Sequence, residues 1–136
     1  MSLLEIADLD AGYGDLQILS DIDLSVDDGE YVTIVGPNGA GKSTVMKTVV
    51  GLASHQGGAI NYRGTDIAGT PPEEIVEEGI GYVPQTDNVF PTLTIAENLR
   101  LGAYVLDGVP ADRKQAVYDR FPALAERPDA DAGSLS

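Results

Sequence analysis

The sequence predicts an α/β fold, and three observations predict it. Residues 36–44 read GPNGAGKST, placed between a continuous β-branched run, YVTIV at 31–35, and a helical apolar pattern at 45–50. Ahead of this loop, two stretches alternate apolar and polar residues as half-buried strands do. Behind it, the spacing Thr-x-x-Glu or Thr-Pro-Pro-Glu recurs before apolar runs, the signature of helix starts.

The elements follow in chain order. Residues 3–9 and 18–26 alternate, most clearly Ile22, Leu24 and Val26 against Asp21, Asp23 and Ser25, and predict antiparallel strands with one wet face. Asp27, Asp28 and Gly29 supply a turn. The run 31–35 predicts a strand covered on both faces. Val45, Met46, Val49 and Val50 fall on one side of a helix that Gly51 can close. Residues 59–62 predict a short strand and 64–66 a turn. Thr70 is placed as an N-cap with Pro71 at the first helical position and Glu73 reaching back in a capping box, and Gly79 ends that helix. Residues 80–83 predict a second buried strand, stopped by Pro84. Thr94 and Glu97 repeat the capping box and open a helix through about residue 106. Residues 110–121 predict another helix, which Pro122 stops.

The loop carries the chemistry. GxxxxGK[ST] is a phosphate cradle. Its glycines allow the left-handed backbone and close approach that let successive N–H groups converge on an anion. Lys42 adds a point charge toward the terminal phosphates, and the Ser43 hydroxyl is placed to ligate Mg²⁺. The helix that follows presents its positive N-terminal end. Strand, glycine loop and helix stand in the order this mechanism needs, so the chain is expected to bind a nucleoside triphosphate. His55 reads as a solvated loop residue. Glu73, Glu74, Glu77 and Glu78 read as capping and solvating a helix rather than holding a metal.

Composition bounds the partners. A chain of 136 residues that is 43% hydrophobic can bury one core. Its net charge of −14, with 14 aspartates, 8 glutamates and three lysines, lacks the basic face that nucleic acid requires, so nucleic acid is not an expected partner. The acid surplus suggests a high-salt cytoplasm, where a Debye length of about 3 Å at 1 M screens acid–acid repulsion. With no cysteine there is neither a disulfide framework nor a thiolate metal site. No signal peptide or run of 18 apolar residues is recognisable, so a soluble, cytoplasmic chain is expected.

Taken together, the motifs resemble the nucleotide-binding subunit of an ABC transporter. Tyr13 in AGYGDLQIL stands where that family has an aromatic that stacks on adenine, although it also reads as a turn aromatic. GPNGAGKST is its Walker A motif, YVPQ ending at Gln85 looks like its Q-loop, and FPTLTIAENL looks like the start of its helical subdomain. The finer pattern, GTPPEEIVEEGIGYVPQ with RFPALAER and AGSLS, is similar to the ATP-binding subunits of branched-chain amino-acid importers.

The resemblance implies an ABC-type P-loop NTPase fold. An antiparallel β subdomain is expected at 1–30, a RecA-like P-loop core at 31–90 and the start of the helical subdomain at 91–136. ATP would be bound by Tyr13, Gly36, Pro37, Asn38, Gly39, Ala40, Gly41, Lys42, Ser43, Thr44 and Gln85, with Mg²⁺ on Ser43 and Gln85. The partners implied are a second ATP-binding subunit that completes a nucleotide sandwich, and transmembrane permease subunits that hold the protein at the inner face of the membrane. GSLS at 133–136 resembles the approach to the family's signature motif. The resemblance therefore implies an N-terminal, truncated part of the domain, without the Walker B aspartate or catalytic glutamate. No catalytic residue is assigned, and little or no hydrolysis is expected from this chain alone. A soluble relative without a membrane partner, or a non-catalytic remnant, would share these motifs.

Overall fold

The computed structural model describes residues 2–37, 41–84, 89–103 and 110–135. The chain divides into two compact units, Met1–Tyr82 and Val83–Ser136.

The first unit is built on an antiparallel sheet of order β2-β1-β3-β4, from β1 (Ser2–Tyr13), β2 (Leu16–Asp27), β3 (Ser54–Tyr62) and β4 (Thr65–Asp66). The alternation seen in the sequence has the expected cause. Ile22, Leu24 and Val26 are half-buried against exposed Asp21, Asp23 and Ser25, while Ile6 and Leu9, three apart, are both buried because the ladder shifts between them.

The β1–β2 register shifts at four places, between Ser2 and Leu4, Ile6 and Leu9, Leu9 and Ala11, and Ala11 and Gly12. Asp8 and Asp21 both adopt φ 51, at bulges in this ladder. The displaced N–H groups find carboxylates. Asp8 N–H donates to Asp23 Oδ1 at 2.8 Å and Asp21 N–H to Asp10 Oδ1 at 3.0 Å. Part of the acid surplus thus satisfies backbone that the bulges take out of the ladder.

Helix α1 (Lys42–Val49) packs on this sheet. Its buried residues are Thr44, Val45, Thr48 and Val49. Met46, expected on the same face, is instead 46% exposed, because positions four apart form the stripe and Thr44 and Thr48 occupy it. The Thr48 hydroxyl donates to the Thr44 carbonyl at 2.6 Å, which meets its hydrogen-bonding need inside the core. Gly51 closes the helix as expected, at φ 83. Its N–H reaches the Thr48 carbonyl and that of Leu52 the Lys47 carbonyl, the paired bonds of a Schellman cap.

Several local expectations are corrected. Residues 31–35 and 80–83 are not strands. Tyr31 is 93% exposed, Val35 83% and Val83 81%. A doubly covered strand needs a neighbour on each edge, and among the described residues no strand lies beside either run. Strand preference measures packing on a pleated surface more than any intrinsic backbone choice, so without a partner these runs form no strand, and only Ile34, Ile80 and Tyr82 pack half-buried against the core. Strand β3 begins five residues earlier than expected. It takes in His55, which is half-buried in the strand and not in a loop, with Nε2 donating to the Gly58 carbonyl at 2.7 Å. The turn falls on Arg63 and Gly64, both at positive φ, and Thr65 and Asp66 pair back onto Tyr62 and Asn61 as β4.

Helix α2 (Pro72–Glu77) is capped by Pro71, with no side-chain bond from Thr70, so the box expected there does not form. Two consecutive prolines account for this: Pro71 holds extended backbone, φ −60 and ψ 149, which moves the helix start one residue past the register Thr70 could cap. Gly79 ends it as expected.

The second unit contains α3 (Ile95–Gly102), α4 (Ala111–Arg120), α5 (Pro122–Glu126) and a 3-10 turn at Ala132–Ser134. The capping box at α3 is present. Glu97 N–H donates to Thr94 Oγ1 at 3.0 Å and Thr94 N–H to Glu97 Oε1 at 2.9 Å. The Thr94 backbone bond, then its hydroxyl, hold the Glu97 carboxyl below its ordinary value. The helix expected to run to about 106 ends at Gly102, where Ala103 leaves helical backbone at φ −108 and ψ 21 as the C-cap; residues 104–106 lie outside the described residues. Pro122 opens α5 instead of merely stopping α4, because Phe121 turns the chain at φ −127 and ψ 75 and a proline fits the first position of the next helix. Asn98 ties the segment before α3 together, its amide bonding Phe90 N–H, Phe90 C=O and Thr94 C=O at 2.8, 3.0 and 2.9 Å. That segment is in turn fastened to 128–133 by backbone bonds, among them Ile95 N–H to Ala130 C=O at 2.9 Å.

Candidate functional site

The loop between residue 36 and α1 is the strongest site candidate. Gly36 and Pro37 run extended into it. Asn38, Gly39 and Ala40 lie outside the described residues, as does Gln85.

Gly41 is the N-cap of α1, in left-handed backbone at φ 94 and ψ 7, and it is buried. Its hydrogen-bonding consequences are specific. The carbonyl of Gly41 accepts from Val45 N–H at 3.1 Å, but a glycine has no side chain with which to cap the N–H groups of Lys42, Ser43 and Thr44. Thr94 at α3 uses such a cap. At α1 no side-chain cap to the first-turn donors is present among the described residues.

Charge agrees with this. The first turn of α1 contains no acidic residue, in a chain of net charge −14, and its last turn holds Lys47. The positive end of the helix dipole thus carries no acidic side chain in its own first turn. Lys42 is half-buried, and its ammonium donates to the Gly36 carbonyl, spanning the loop from its second end to its first. The hydroxyl-bearing Ser43 is exposed at the second residue of the helix. Donors, a lone ammonium and an exposed hydroxyl at one helix end suit a polyanion with its counter-cation.

Tyr13 stands beside this end. It closes β1 at the β1–β2 turn, is 42% exposed, and its Oη lies 3.4 Å from Thr44 Oγ1. The pairing of β1 with β3 also brings two residues to the turn that no motif singled out. Ser54 Oγ accepts from Gly14 N–H at 3.2 Å, and Gln56 Nε2 donates to the Gly14 carbonyl at 3.0 Å. Nothing within 40 residues of sequence links them to Tyr13; only strand register does.

A cleft of about 210 Å³ opens next to Gly41 and Lys42, lined by Leu19, Ile22, Ile34 and Val45 among others. Its apolar walls make it the seam between sheet and helix, apart from the donor-rich end of α1. Among the described residues no helix is long and apolar enough to cross a membrane.

Comparison with known proteins agrees with the geometry. A sequence profile of the ABC transporter family matches residues 19–136. The chain is 42% identical over 135 residues, 98% of its own length and 57% of the relative's, to a protein of Archaeoglobus fulgidus described as a probable branched-chain amino acid transport ATP-binding protein, LivF. It is 39% identical over 128 residues, 91% of this chain and 54% of the other, to the high-affinity branched-chain amino acid transport ATP-binding protein BraG of Pseudomonas aeruginosa. The fold is similar, with a TM-score of 0.80 and 26% identity, to an ATP-binding cassette of an ABC transporter solved in its ADP conformation, covering 100% of this chain and 59% of that one. The chain thus spans little more than half the length of these two curated relatives.

Proposed function

This chain belongs to the ABC transporter family, and from that premise we propose that it supplies the ATP-binding surface of the energy-coupling subunit of an importer for branched-chain amino acids. The observation that carries the proposal is the glycine-capped, acid-free start of α1 with Lys42 beside it. The residues present fit a nucleotide phosphate chain there, because the donors are backbone N–H groups and the only first-turn charge is positive.

In this reading the backbone N–H groups of about Gly39 to Thr44 hold the phosphates, together with Gly36, Pro37, Asn38 and Ala40, which shape the loop. Lys42 neutralises the γ side. Ser43 and Gln85 would hold Mg²⁺, which would supply positive charge to offset that of the phosphates. Tyr13 offers a flat face to adenine, a contact of affinity more than of specificity. A second ATP-binding subunit completes the sandwich, and permease subunits place the assembly on the cytoplasmic face of the membrane. The division into an antiparallel subdomain at 1–30, a P-loop core at 31–90 and the first part of a helical subdomain at 91–136 is the arrangement that would serve this role. Its acidic surface suits a high-salt cytoplasm.

Calorimetry of the 136-residue chain with ATP·Mg tests the reading. A hydrogen bond to a charged group contributes about 1.5–3 kcal/mol, so Lys42→Ala should weaken binding by about 10- to 150-fold, enough to remove a weak interaction from the measurable range. Unchanged affinity would take the loop out of the mechanism.

A further inference from the structure

Tyr13 lies at the end of a hairpin, where two strands meet in a short turn, and such an end is ordinarily free to swing. Here it is held at three points. The Tyr13 hydroxyl lies 3.4 Å from Thr44 Oγ1, and both backbone polar groups of Gly14 are engaged by side chains of β3, the N–H by Ser54 at 3.2 Å and the carbonyl by Gln56 at 3.0 Å. Ser54 and Gln56 alternate with half-buried His55, so both stand on the exposed face of β3 and project to the same turn. Exposed side chains that spend their hydrogen bonds on a distant turn residue, and not on water, restrict that turn.

We infer that Ser54 and Gln56 are positioning residues for the nucleotide base: by clamping Gly14 from both sides they hold the Tyr13 ring where an adenine bound over the start of α1 would stack on it. The inference rests on the reading of Tyr13 as the base contact. Its physical content is preorganisation, since an aromatic fixed before binding loses less freedom when the base arrives. The phosphate subsite is built on backbone N–H groups at the start of α1; the side chains of Ser54 and Gln56 bond only Gly14, and the turn meets α1 through the Thr44 hydroxyl, not its N–H. Removing the clamp should therefore weaken a ligand with a base and spare one without.

The test compares ATP·Mg with inorganic triphosphate·Mg, titrated by calorimetry into the 136-residue chain. The double variant Ser54→Ala with Gln56→Ala should raise the Kd for ATP about five- to tenfold, the scale of two ordinary hydrogen bonds acting indirectly, and leave that for triphosphate unchanged. Ser54→Thr, which keeps the hydroxyl, should restore most of what Ser54→Ala loses. If the double variant folds poorly, the single variants carry the same comparison with about two- to threefold effects. Equal weakening of both ligands would mean the pair merely supports the fold and would overturn the inference. So would an unchanged ATP affinity while Tyr13→Ala weakens ATP selectively. An ATP affinity indifferent to Tyr13→Ala would remove the base contact itself, and the clamp's role with it.

Discussion

Replacing Gly41 by alanine separates two reasons for a glycine at the start of α1, and the structure predicts both magnitudes. At φ 94 a side chain occupies the left-handed region, which costs an L-residue about 1–2 kcal/mol. An alanine Cβ would also stand 2.6 Å from Leu19 Cδ2, against the 3.5–4.0 Å of a comfortable carbon contact. A methyl at the end of a side chain can usually rotate away. Leu19, however, is 3% exposed and packed in the core, so moving it displaces its neighbours, an overpacking cost of about 1–3 kcal/mol. The sum is about 2–5 kcal/mol, a large part of the roughly 5–15 kcal/mol that holds a typical domain. At about 4 °C per kcal/mol the melting temperature should fall by about 8–20 °C. Gly14→Ala is the matched control, with φ 59 and no atom within 4 Å of the added carbon, so only the conformational part of about 1 kcal/mol applies. Urea denaturation followed by circular dichroism measures both, and a Leu19→Ala background should shrink the Gly41→Ala penalty toward that of Gly14→Ala. Equal costs for the two glycines in the unaltered background would refute the steric part of the reasoning.

Two further outcomes concern charge. The Glu97 carboxyl is held below its ordinary value of 4.5 by Thr94, so its contribution to the second unit is complete above 4.5 and disappears as pH falls through the depressed folded value. Glu97→Gln should remove that acid-side loss of α3 helicity, and NMR titration of the carboxyl should give a midpoint under 4.5; a midpoint at or above it would contradict the capping box. The exposed carboxylates of Asp8, Asp21 and Asp23, with Glu73, Glu74, Glu77 and Glu78, predict that the melting temperature rises between low and multimolar KCl as a Debye length of about 3 Å at 1 M screens their repulsion. A flat or falling salt profile would count against a high-salt adaptation.

The sequence by itself determined what is decided within a few residues. The start of α1, the closures at Gly51 and Gly79, the capping box of Thr94 and Glu97, and the alternation of half-buried Ile22, Leu24 and Val26 with exposed Asp21, Asp23 and Ser25 were all legible, because each rests on neighbours no more than four or five positions away. Only the tertiary structure decided the rest. Runs 31–35 and 80–83 have strand composition but no partner edge among the described residues, and pairing cannot be read from one strand alone. The bulges at Asp8 and Asp21 turn apparently solvating carboxylates into backbone acceptors 11 and 15 residues away. The setting of Tyr13 beside Thr44, 31 positions on, and the clamp by Ser54 and Gln56, 40 and 42 positions beyond Gly14, come from the order in which strands pair. Local chemistry names the groups that can hold a phosphate, and strand register decides which distant side chains stand around them.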